Sequence, residues 1–157
     1  MTVVGGILIQ LFNGCFFLWA SISNYVLSYM YIFDHDVDEA AIFYVDVALV
    51  FLNCLGYQIG TYLLNSRGWN PKYVLALGGI ISLSGIFLSS FTTNLWTFIG
   101  LYGVMSGIGC GMNHFVPLVC CWEWFPHKKG LITGIMVGSY GLSSFIFVQV
   151  ATLIVNP

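Results

Sequence analysis

Residues 73–90 read YVLALGGIISLSGIFLSS, and the fold turns on how this run is understood. It carries no charge, and its apolar and polar side chains do not alternate. A strand of a membrane barrel alternates over segments of about ten residues. This run is too long and too uniformly apolar for that, so it predicts a helix.

Composition names the solvent of that helix. Only 6% of the residues are charged and 59% are apolar, and mean hydropathy is +0.91. Soluble domains carry roughly 25% charged residues, which they need to cover their surface. The surroundings are therefore expected to be a lipid bilayer. A net charge of −2 gives nucleic acid no electrostatic purchase.

A bilayer-spanning helix needs about 20 apolar residues. Residues 1–33 have no charge, 40–66 have only Asp46, and 130–157 again have none. The uncharged run 73–122 is too long for one span and divides at SSFTTN, 89–94. The expected fold class is an all-α membrane bundle of five transmembrane helices, at about 5–31, 40–64, 73–91, 96–121 and 130–154. The first residues, MTVVGGILIQ, lack the positive start of a secretory signal, so the first helix is expected to stay in the mature protein. Cys15, Cys54, Cys110, Cys120 and Cys121 fall inside predicted spans, are odd in number and form no CxxC pair, which reads as packing rather than as disulfides or zinc.

The connecting loops differ in charge. DHDVDE, 34–39, is acidic; SRGWNPK, 66–72, carries Arg67 and Lys72; the third is uncharged; PHKK, 126–129, carries Lys128 and Lys129. Every basic residue thus sits in alternate loops. Positive loops stay cytoplasmic, which places the N-terminus inside and the chain's end outside. Asp34, His35, Asp36, Asp38 and Glu39 could suggest a metal, but they lack the spacing and turn glycine of an EF-hand, and a solvated acidic loop is expected, with no metal.

Within the spans, Gln10, Asn13, Phe17, Ser21 and Asn24 recur at steps of three and four and share one helix face. Lipid penalises such groups, so the face either lines a pathway or bonds neighbouring helices. Asp46 lies about six residues into the second span and is the intramembrane acid, with a relay or an outer-gate role. Gly103, Gly107 and Gly111 in the fourth span, and Gly130, Gly134 and Gly138 in the fifth, form small-residue ridges, which predict a close antiparallel contact between the two spans. Asn113 and His114 are the deepest polar groups of the fourth span and join the candidates for a substrate pathway; His114 either titrates or bonds a carboxylate, or is a neutral histidine satisfied by a neighbouring helix. Trp122, Trp124 and Phe125 before Lys128 form an interfacial anchor, and Glu123 faces the cytoplasmic cations.

The stretch LYGVMSGIGCGMNHFVPLVCCWEWFPHKKGLITGIMVGSYGLSSFIF, 101–147, resembles helices 4 and 5 of the major facilitator superfamily, most closely its oxalate/formate-antiporter and monocarboxylate-transporter-like branch. The branch's W-F-P-x-K/R-x-G stands here as Trp124, Phe125, Pro126, Lys128, Lys129 and Gly130. The gate signature G-x-x-x-D-R-x-G-R-K is worn: aligned on Gly68, Asn65 replaces its acid, and Arg67 and Lys72 lie beside their expected places. The resemblance implies a secondary transporter of two six-helix halves working by alternating access. This chain would be an incomplete N-terminal half, residues 1–157, with the C-terminal half absent. The implied substrate is a small organic anion, a mono- or dicarboxylate, coupled to a proton or an exchanged anion, in the plasma membrane. The alternative is a non-transporting truncated membrane protein acting as assembly partner or regulator. No HExxH, GxSxG or intramembrane carboxylate pair occurs, so no enzyme, catalytic residue or cofactor is expected.

Overall fold

In the computed structural model the described residues are 2–32 and 40–155. They form helices α1 (Thr2–Asn13), α2 (Trp19–Tyr31), α3 (Ala40–Asn65), α4 (Pro71–Ser89), α5 (Leu95–Phe98), α6 (Gly107–Trp124) and α7 (Lys129–Val155), with no strand among them. A 3-10 segment, Gly14–Leu18, joins α1 to α2, and a π-helical stretch, Ile99–Ser106, joins α5 to α6. Among the described residues four helical stretches are long and apolar enough to cross a membrane, or five with the bent pair Thr2–Phe16 and Ser21–Tyr31 taken as one span. The chain is a multi-pass membrane protein. The acidic loop that could have suggested a metal lies outside the described residues.

Local chemistry sets the ends of these helices. The Asn70 side chain accepts from the Lys72 amide and Pro71 takes the first helical position, which starts α4. Asn94 caps α5 in the same way, accepting from Trp96 N–H at 2.9 Å. Gly68, at φ +61°, closes α3, and Trp69 N–H returns to the Leu63 carbonyl at 3.2 Å. Gly68→Ala is expected to cost about 1–2 kcal/mol through the left-handed backbone. Gly134→Ala, whose added carbon meets nothing within 4 Å, should be neutral or gain up to about 1 kcal/mol. Thermal midpoints in detergent check both.

The first span is a single predicted helix that the structure bends by 42°. It contains no proline; the break is the 3-10 turn starting at Gly14. Gly14 also lets the first span press on the fifth, since a β-carbon there would strike Ser143 and the Tyr140 carbonyl.

The fourth span is the hub. α6 packs on α3, on α4 and on α1, while α7 packs along α1. Glycine makes these approaches possible, but not as the spacing suggested. Gly103, Gly107 and Gly111 lie against α3, where their neighbours are Ala48, Leu49 to Asn53, and Asn53 with Gly56. Gly130, Gly134 and Gly138 have nothing within 4 Å of a built β-carbon. The expected contact between the two ridges is therefore not formed. The matching surface is instead Gly56 and Gly60 of the second span, the former against Gly111 and the latter against Met112.

Three apolar clusters fill the bundle: Trp19, Met30, Val45, Leu49 and Phe98 near the ends of α2 and α5, Val74, Met112 and Val116 around α6, and Leu118, Cys121, Ile132 and Met136 at the other end. Outside, Phe12, Ile80, Leu83 and Phe87 are each well over half bare. In water such a surface drives association; in hydrocarbon it is the expected exterior.

A candidate substrate site at mid-membrane

Two amides of the first span bind the backbone of the fourth. Gln10 Nε2 donates to the His114 carbonyl at 2.8 Å, and Asn13 Nδ2 donates to the Cys110 carbonyl at 3.1 Å. Both residues are buried, Gln10 to 1% exposure. The shared face read from the sequence is thus real at Gln10 and Asn13, and its first task there is to join helices. Ser21 is half-buried and Asn24 is exposed, beyond the bend. The side chain of Phe17 lies outside the described residues.

His114 and Asn113 diverge, as neighbours about 100° apart on a helix must. Asn113 turns to the third span. With its amide nitrogen facing the Leu75 carbonyl it donates there at 2.9 Å and accepts from Gly79 N–H at 3.1 Å. It shares a half-enclosed groove of about 370 Å³ with Asn13, Ser82, Ser106 and Cys110, between α1 and α4. Ser82 Oγ meets Cys110 Sγ at 3.3 Å on its floor.

His114 turns the other way, into a slot between the second and fifth spans. Its ring lies 5.5 Å from that of Tyr57 and 4.6 Å, edge-on, from that of Tyr140. Counted from the nearer helix end at about 1.5 Å per residue, His114, Tyr57 and Tyr140 all lie roughly 12–17 Å deep. That is the middle of a hydrocarbon core about 30 Å thick. His114 Nδ1 and Gln10 Oε1 are buried and have no hydrogen-bond partner among the described residues. Leaving such atoms unpaired costs on the order of 1–3 kcal/mol each, and natural proteins keep few of them without a use. A ligand could therefore bond to an imidazole nitrogen that lies between the rings of Tyr57 and Tyr140, and to an amide oxygen on the first span. Sequence reading singled out His114 and Gln10 but not Tyr57 or Tyr140. The available signal was a hydroxyl-bearing aromatic at the depth of a buried histidine.

The remaining predicted residues lie away from this slot. Thr2, Lys72, Glu123 and Trp124 line one cavity of about 290 Å³, so the chain's start, the second loop and the end of the fourth span share one end of the bundle. Asn65, Arg67, Lys128 and Lys129 are exposed in the turns of that series. Trp122 Nε1 donates to Thr133 Oγ1 at 3.0 Å, and Thr133 Oγ1 donates to the Lys129 carbonyl at 2.8 Å, which ties the fourth span to the fifth across the PHKK turn. Asp46 is half-buried in α3, near the opposite end. No group of three or more metal-ligating residues occurs among the described residues.

Comparison with known proteins gives this geometry a context. No protein-family model matches the chain. It is 31% identical over 149 residues to the uncharacterized MFS-type transporter YhjX of Escherichia coli, covering 94% of this chain and 35% of that one. It is 24% identical over 196 residues to apicoplast pyruvate carrier 1 of Toxoplasma gondii, covering 100% of this chain and 35% of that one. Monocarboxylate transporter 13 of Rattus norvegicus is 31% identical over 101 residues, 64% of this chain and 23% of its own length. The chain spans about a third of the length of the first two relatives. All are carriers rather than enzymes.

Proposed function

This chain is homologous to part of the major-facilitator-type transporters, and from that premise we propose that it is the N-terminal portion of a secondary transporter for small organic anions. The observation that carries the reading is that two buried atoms at mid-membrane depth, His114 Nδ1 and Gln10 Oε1, have no hydrogen-bond partner among the described residues. Secondary transporters hold substrate at that depth, between two bundles that rock around it.

In this reading His114 contacts the carboxylate of a mono- or dicarboxylate, and the phenols of Tyr57 and Tyr140 bound the site on either side. Gln10 fixes the fourth span's backbone beneath it. Asn13 and Asn113 hold helices together and do not touch substrate. A second bundle, outside residues 1–157, closes the slot, and a sixth helix covers the Asn13–Asn113 groove along the first span. The basic loops face the cytoplasm, the N-terminus is inside, and the host is the plasma membrane. The names of two relatives, a pyruvate carrier and a monocarboxylate transporter, support the substrate class.

The test is uptake of radiolabelled mono- and dicarboxylates by vesicles holding the full-length gene product. His114→Gln is expected to lower uptake of the transported acid by about tenfold or more, the worth of one hydrogen bond to a charged group. Asn113→Ala should leave the apparent affinity unchanged. Wild-type rates in the His114 variant would sink the assignment, and no carboxylate uptake by the unaltered protein would sink the substrate class.

A further inference from the structure

The fourth and fifth spans bring the rings of His114 and Tyr140 edge to face, with centroids 4.6 Å apart. The fifth span's own ridge does not hold them there, since built β-carbons on Gly130, Gly134 and Gly138 meet nothing within 4 Å. The bond from Trp122 to Thr133 does join the two spans, but Thr133 is seven residues from Tyr140, about 10 Å along the helix.

The first span supplies a tie at the right depth, through two adjacent residues. Gln10 Nε2 donates to the His114 carbonyl at 2.8 Å and fixes the fourth span. The Leu11 carbonyl accepts from Ser143 Oγ and fixes the fifth. Ser143 is 1% exposed, and it stands three residues from Tyr140, on the same helix face. Leu11 lies in the last turn of α1, where an ending helix leaves carbonyls to be satisfied from outside. The 3-10 break that begins at Gly14 is thus what makes a carbonyl available to Ser143. Gly14 also admits the fifth span: a β-carbon there would lie 2.5 Å from Ser143 Oγ and 2.6 Å from the Tyr140 carbonyl oxygen.

We infer that Ser143 is the positioning residue that holds Tyr140 against His114, with the broken first span as the jig for both. Without its bond to Leu11, α7 can turn about its axis, and a turn carries the Tyr140 ring off the imidazole. The effect on transport rests on the reading of His114 given above; the effect on the two rings rests on geometry alone.

The first test is spectroscopic and needs no substrate. The full-length gene product is labelled with carbon-13 at histidine, and the His114 resonance is the one that His114→Gln removes. An aromatic ring shifts the resonances of nuclei packed against it, so Tyr140→Leu moves this one. Ser143→Ala is expected to move it in the same direction. Ser139→Ala, which removes a bond made within α7 to the Ile135 carbonyl, should leave it in place. The second test is carboxylate uptake by vesicles. Ser143→Ala should raise KM by about threefold to tenfold, the scale of one interhelical hydrogen bond in a membrane, with the maximal rate per folded molecule unchanged. A serine that merely joins helices gives a lower thermal midpoint with the His114 resonance in its wild-type place, and that result overturns the inference. A shifted resonance with an unchanged KM upholds the tie and removes Tyr140 from the substrate site, so that failure falls on the proposed function instead.

Discussion

Gly111→Val is expected to prevent the bundle from assembling. A β-carbon on Gly111 would strike the Asn53 carbonyl and sit 2.9 Å from the Gly56 α-carbon. Both obstacles are backbone, so no rotamer relieves them, and α6 would have to leave α3. Overpacking ordinarily costs about 1–3 kcal/mol; here the displaced contact is the hub of the fold and the loss should be at least about 3 kcal/mol. The readout is the monodisperse fraction surviving a temperature ramp in detergent, which should fall to background. Gly138→Val is the control, since nothing lies within 4 Å of that position. Equal survival of the two variants would show that the α3–α6 approach does not hold the bundle together.

Gln10→Leu should separate stability from transport. The variant loses the 2.8 Å bond to the His114 carbonyl, worth about 1 kcal/mol. It also removes the unpaired Oε1, whose burial costs about 1–3 kcal/mol. The thermal midpoint should therefore hold or rise. Carboxylate uptake should nevertheless fall by about tenfold or more if Gln10 Oε1 is the second polar atom of the proposed substrate site. A side chain that merely joins helices gives the opposite pattern: a lower midpoint with uptake per folded molecule unchanged. Asn13→Leu, which breaks the bond to the Cys110 carbonyl, is expected to show that pattern.

Much of this architecture is legible in the chain because lipid is a simple solvent. Residues 73–90 cannot be a barrel strand, and Arg67, Lys72, Lys128 and Lys129 in alternate loops tie the helix count to one end of the bundle. The structure places Lys72, Glu123 and the chain's start around one cavity there. What sequence could not say is which partner each ridge selects. Glycines at four-residue steps define a face of their own helix and carry nothing about the helix opposite. Gly111 chose the second span because Gly56 is there to receive it, a signal present in the sequence but lacking a direction. The bend at Gly14 was hidden for a related reason, since it comes from a 3-10 turn without the proline that usually announces one. At the site, His114 and Gln10 stood out as polar groups in an apolar run. Tyr57 and Tyr140 did not, because tyrosine is common in such runs and only the fold brings these two to either side of one imidazole.

The π-helical stretch Ile99–Ser106 has a mechanical consequence. A π-turn holds one residue more than the α-turn it replaces. Expelling that residue would rotate everything before it by about 100° and draw it in by about 1.5 Å relative to everything after it. Phe98 and Tyr102, whose rings lie 5.6 and 5.1 Å from that of Trp19, lie before or within the stretch, and His114 lies after it. Such a shift would turn the fourth span as a crank, with an aromatic handle at one end and an imidazole at the other. Spin-label distances from position 97 to position 128, unchanged on adding a transported carboxylate, would show that the crank does not turn.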